Sequence, residues 1–150
     1  MATLYVWLKF IHILSVGVFL FVHGIAGGLG FLLRAAPVSA GTRPLLNVSR
    51  ITGQASYPLL LLILITGIWM AFAGSFGRTV WPWAALGILI VTIAFMGYIA
   101  RPYYMAREAA KSGDDAAVAA QLSKAMPELA GGVGALAVVL ILALMVFKPF

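Results

Sequence analysis

The chain has two histidines, His12 and His23, and both fall inside its first long apolar stretch. An imidazole serves as general base, proton carrier or metal ligand. Inside hydrocarbon it is costly, and it normally faces protein, water or a bound group. The two rings stand eleven residues apart. Eleven helical steps return to within about 20° of the starting direction, about 16 Å further along. That arithmetic predicts both rings on one inward face at two depths. The face continues as His12, Val16, Phe19, His23, Gly27 and Gly30, at the steps of four and three found along the seam of packed helices.

Histidine is a common axial ligand of haem iron, and bundle cores hold such cofactors. His12 or His23 could therefore bind haem b, with Gly27 leaving room for a flat macrocycle beside the ring. No histidine occurs in the later apolar stretches, so a single copy cannot ligate two stacked haems. One haem would draw its second ligand from Met70, Met96 or Met145, or from a histidine of a second copy. Lys9, one helical turn before His12, could hold a propionate or snorkel to the headgroups. The alternatives are structural. His12 could bond a backbone carbonyl or a headgroup and His23 a neighbouring helix, and Gly24, Gly27 and Gly28 could serve close helix packing. As ligands for a metal ion, His23 and His12 are the only imidazoles available.

Other chemistry is bounded by what the sequence lacks. There is no cysteine, which excludes disulfides, iron–sulfur clusters, thiolate metal sites and cysteine nucleophiles. Walker and His-Glu-x-x-His motifs are missing, and Gly27-Gly28-Leu29-Gly30 within an apolar helix is no phosphate loop. No carboxylate lies in an apolar stretch, which disfavours a proton-coupled metal or solute transporter.

The elements that must position these residues are membrane spans. The chain is 63% hydrophobic and only 9% charged, against about 25% charged in an ordinary soluble domain. Its net charge of +6 is scattered between apolar blocks, so it sets topology and meets anionic lipid rather than nucleic acid. Span one is expected from Leu4 to Leu33, span two from Tyr57 to Phe72, span three from Trp81 to Ala100 and span four from Leu129 to Phe147. The first apolar run exceeds the roughly 7–15 residues of a signal-peptide core, so it is read as a retained span. Leu45, Val48, Ile51 and Ala55 recur at helical spacing, either in the interface or as an extension of span two. Pro58 then sits in that span's first turn or inside a longer helix. Ser15, Thr66 and Thr92 are expected to bond their own i−4 carbonyls. The polar stretch Met105 to Glu128 contains all four acids; Gly113 breaks it and Asp114 caps a second short helix.

Seven basic residues (Arg34, Arg43, Arg50, Arg101, Arg107, Lys111 and Lys124) follow spans one and three, against three (Lys9, Arg78 and Lys148) on the other side. The positive-inside rule then places both termini outside and the longer loops in the cytoplasm.

The opening Tyr5-Val6-Trp7-Leu8-Lys9-Phe10-Ile11-His12 and the closing Leu144-Met145-Val146-Phe147-Lys148-Pro149 resemble a bacterial family of four-helix integral membrane proteins of unknown function. Thr66-Gly67-Ile68-Trp69-Met70 and the Arg101-Pro102 junction extend the likeness over nearly the whole length. The Trp-x-Lys-x-x-His opening is also similar to the four-helix membrane protoporphyrinogen oxidase and the copper-resistance D family. The first of these implies a haem or porphyrin site at Lys9 and His12.

The expected fold is all-α and integral to the membrane: four spans in an up-and-down bundle, with a short cytoplasmic helical segment between spans three and four. The expected location is the bacterial inner membrane. Function divides between a haem or tetrapyrrole protein and an accessory subunit packed against other membrane subunits or a second copy, with a small metal or solute transporter as the third, disfavoured class. No catalytic motif marks an enzyme.

Overall fold

A computed structural model describes residues 2–149, and among them every regular element is helical. The order is α1 (Ala2–Ala35), α2 (Thr42–Ala73), α3 (Trp81–Ile99), α4 (Arg101–Ser112), α5 (Asp115–Leu122) and α6 (Pro127–Phe147). Among the described residues, α1, α2, α3 and α6 supply four stretches long and apolar enough to cross a membrane. The protein is a multi-pass, all-α membrane bundle.

α1 and α2 form one antiparallel pair, and α3 and α6 another. On α1 the residues drawn in from the surface are Tyr5, Leu8, His12, Ser15, Phe19, Val22, Ala26, Leu29 and Leu33, with Val16 and Gly30 beside them. Their steps alternate strictly between three and four, a 3.5-residue repeat. α2 answers with Thr42, Leu46, Ser49, Gly53, Ser56, Leu60, Ile63, Gly67 and Met70 at the same repeat. Serine and glycine at four of these places let the two backbones approach closely.

This seam corrects the expected inward face. On a 3.5-residue repeat His23 overshoots the direction of His12 by about 51° and Val22 falls short of it by the same angle. The midline of the seam lies on the Ser15 and Val22 side, so Val22 takes the inward place and His23 turns outward with Gly24, Gly27 and Gly28.

The amphipathic piece before span two extends it. α2 runs unbroken from Thr42 and carries Pro58 in its interior. The helix has 32 residues, about 48 Å at 1.5 Å each, so it outreaches a bilayer core of about 30 Å. Its overhang gives α4 and α5 something to pack on. Leu33, Leu46, Ala106, Val118 and Leu122 form a buried cluster there. Gly113 ends α4 with φ 79°, a left-handed value that glycine adopts without strain. Asp114 caps α5 by accepting from the Ala117 N–H at 2.8 Å.

Polar contacts lock the same end. Arg34 Nε donates to the Ala125 carbonyl at 3.2 Å, and the Tyr103 hydroxyl donates to the Gly30 carbonyl at 3.3 Å. The two helix pairs also meet there, where Gly30 and Phe31 come against Pro127 and Gly131. At the opposite end, where the termini lie, a cavity separates them.

Candidate functional site

The cavity has a volume of about 500 Å³ and lies between the α1/α2 and α3/α6 pairs. That is within the usual range of about 300–1,000 Å³ for a small-molecule or cofactor site. Aliphatic and aromatic side chains make most of its wall. Tyr5, Lys9, His12, Met70, Met145 and Lys148 are its chemically distinctive members.

His12 is set into the α1–α2 seam and is only 5% exposed. Its Nδ1 lies 2.9 Å from Thr66 Oγ1. The threonine hydroxyl has a single proton, which it donates to the Leu62 carbonyl at 2.6 Å, with the Ile63 carbonyl at 3.2 Å. With that proton on a carbonyl, Thr66 accepts from His12 Nδ1–H, the arrangement of protons that gives both side chains a partner. The neutral ring is thus the tautomer with its lone pair on Nε2. Nε2 is buried and finds no hydrogen-bond partner among the described residues.

Gly67 makes this placement possible. A Cβ there would stand 3.1 Å from His12 Cε1 and 3.7 Å from Nδ1, so the imidazole occupies space that any other residue would claim. Ser15, one turn deeper, takes no part: its hydroxyl donates to the Ile11 carbonyl at 2.7 Å. Thr92 likewise donates to Ile88. Both behave as expected of hydroxyls inside a span. Thr66 does the same and also receives His12, a second role that only the neighbouring helix reveals.

Lys9 is exposed on the turn above His12 and belongs to the cavity wall. Lys148 joins it from the other pair, its Nζ lying 4.7 Å from the Phe76 ring centre and 5.9 Å from that of Trp81. Two cations therefore flank one apolar cavity. Of the three methionines considered, Met70 and Met145 line the cavity, whereas Met96 packs against Gly134 in the α3–α6 contact.

The structure does not bring His23 and Gly27 to this place. His23 is exposed, stacked on Phe19 with ring centres 5.2 Å apart. Gly27 is exposed too, and a Cβ there would meet nothing within 4 Å. Nor do the imidazoles belong to a metal-ion cluster, since no group of three or more His, Cys, Asp or Glu side chains assembles among the described residues. The arrangement supplies one buried imidazole lone pair beside an apolar cavity with cations at its rim. Sequence reasoning missed Gly67 and Lys148. Gly67 stands beside Thr66 in the sequence, but nothing local ties either residue to α1.

Comparison with known protein families, with curated proteins and with solved structures yields no match for this chain.

Proposed function

We propose that the chain is a membrane tetrapyrrole-binding protein that holds a b-type haem, or a closely related macrocycle, in this cavity. The observation that carries the reading is the setting of His12: Nδ1 lies 2.9 Å from Thr66 Oγ1, while Nε2 is buried with no hydrogen-bond partner among the described residues. A ligating histidine characteristically has its other ring nitrogen bonded in this way, which fixes the tautomer and raises the basicity of the ligating atom. His12 is the proximal ligand in this reading. Met70 and Met145 are the thioethers available for a second position, and Lys9 and Lys148 are the cations available for propionates. Bound haem would supply one-electron chemistry, and its potential would depend on the side chains that hold it. Nε2 is screened from solvent, so loading requires the side chains in front of it to give way.

The opening Trp-Leu-Lys-Phe-Ile-His, similar to the membrane protoporphyrinogen oxidase, points to the same Lys9 and His12. The distribution of basic residues supports termini outside and the α4–α5 end in the cytoplasm.

The test is spectroscopic. Purified chain titrated with haemin in detergent should develop a Soret band at one equivalent and reduced α and β bands. His12→Ala should remove it, while His23→Ala should keep it. A chain that stays colourless with haemin, or a band indifferent to His12→Ala, would overturn the reading.

A second reading, an accessory or self-associating subunit, rests on the outward face of α1. His23 is exposed there with Gly24, Gly27 and Gly28, and none of those glycines has a neighbour within 4 Å of its missing Cβ. A polar ring among lipid tails favours cover by another helix.

A further inference from the structure

The α4–α5 end has a second unbalanced polar feature. Arg107 reaches from α4 towards α2, where Nη2 donates to Ser49 Oγ at 3.4 Å. Its Nε is buried and has no hydrogen-bond partner among the described residues. Arg50 follows Ser49 on α2 and carries the same charge. Like charges brought to one helix junction repel each other unless an anion stands between them.

Among the described residues, no side chain provides that anion. Of its four acids, Glu108 pairs with Lys111 at 2.8 Å and Asp115 with Arg43 at 3.6 Å, while Asp114 caps α5. Glu128 opens α6 and forms no salt bridge with either arginine. Among the described residues, then, neither Arg50 nor Arg107 has a carboxylate partner. Ser49 is nevertheless buried at the foot of the pair and offers a hydroxyl. Its depth is also suitable. Ser49 precedes the end of α2 at Ala73 by 24 residues, about 36 Å along the axis, which is just past a hydrocarbon core of about 30 Å.

We infer that Arg107, Arg50 and Ser49 form a binding site for a phosphate group at the level of the lipid headgroups on the α4–α5 side. Guanidinium matches phosphate in charge and geometry, and basic pockets between membrane helices bind anionic lipid heads. The phosphate belongs either to an anionic phospholipid or to a soluble phosphate. In both cases it sits between α2 and α4 and neutralises a repulsion that otherwise opposes their packing. The site does not depend on the proposed haem cavity, which lies at the other end of the bundle.

The experiment uses the full chain, delipidated in a neutral detergent, with phosphatidylglycerol, phosphatidylcholine or inorganic phosphate added at matched concentrations. Binding is read by native mass spectrometry and by the shift in unfolding temperature. Wild type should bind one phosphatidylglycerol in preference to phosphatidylcholine. Arg107→Gln and Arg50→Gln should each weaken that binding by roughly fivefold to tenfold. Arg107→Lys should keep part of it, and Arg43→Gln should leave it unchanged. Far-ultraviolet circular dichroism checks that each variant retains its helices. An equal thermal shift from inorganic phosphate, lost in the same variants, supports the site and assigns it to soluble phosphate. Equal lipid binding by wild type and a folded Arg50→Gln/Arg107→Gln double variant overturns the inference. Equal loss in Arg43→Gln overturns it too, because diffuse surface charge would then account for the binding.

Discussion

His12 Nδ1 and Thr66 Oγ1 lie 2.9 Å apart across the α1–α2 seam, 54 residues apart in the chain, and the threonine's only proton is already committed to Leu62. This contact makes His12 a donor at Nδ1 and leaves Nε2 as a lone pair. Thr66→Val keeps the shape and removes the acceptor, so Nδ1–H is left buried and unpaired. The expected cost is about 1–3 kcal/mol, measured by denaturant unfolding in micelles. Thr66→Ser retains the hydroxyl and should recover most of the loss. If haem is bound, Thr66→Val should also shift its midpoint potential, because the ligating imidazole loses its hydrogen-bond partner.

A second coupling closes the other end of the bundle. Tyr103 donates to the Gly30 carbonyl, and a Cβ on Gly30 would stand 2.9 Å from the tyrosine oxygen. Tyr103→Phe should cost about 0.5–1.5 kcal/mol. Gly30→Ala should also destabilise, despite alanine's better helix propensity, because the hydroxyl has to move off its acceptor. Combining Gly30→Ala with Tyr103→Phe should cost less than the sum of the single changes, and a double-mutant cycle measures that difference.

Burial inside protein separates from burial in lipid. Leu46 is 2% exposed within the α4–α5 end cluster, whereas Leu61, further along α2, is 57% exposed on the bundle's outer surface. Leu46→Ala should cost about 2–5 kcal/mol through the cavity it leaves. Leu61→Ala opens no cavity in the protein and should change stability in micelles far less. Comparable losses at the two positions would mean that α4 and α5 do not pack on α2 as described.

The outward face of α1 is open to a direct test, because the chain has no native cysteine to confuse cross-linking. If that face pairs with a second copy, Ile25→Cys should form an inter-chain disulfide in native membranes. Adding Gly28→Leu should abolish the cross-link without unfolding the monomer, since Gly28 is exposed and a Cβ there meets nothing within 4 Å. Absence of the cross-link at every expression level would count against self-association through this face.

Much of this protein follows from local sequence. The four spans are legible because a bilayer demands long apolar helices, and length with composition is enough to find them. The break at Gly113, the Asp114 cap and the i−4 bonding of Ser15 and Thr92 are equally local. His12 and Lys9 are also recognisable from residue type alone, as rare polar groups in an apolar helix.

The rotational phase of each helix was not legible, and the placement of His23 depends on it. In a soluble helix the inward face is the apolar one. Here lipid is as apolar as the protein interior, so hydrophobicity does not distinguish Val22 from its neighbours. Only the meshing of α1 with α2 decided that Val22 faces in while His23 and Gly27 face out. The same meshing brought Thr66 and Gly67 to His12. The cavity is likewise a tertiary fact, because it exists between helix pairs and no single helix encodes it. Sequence determined which segments cross the membrane and which residues could do chemistry there; packing between distant segments decided which of them meet.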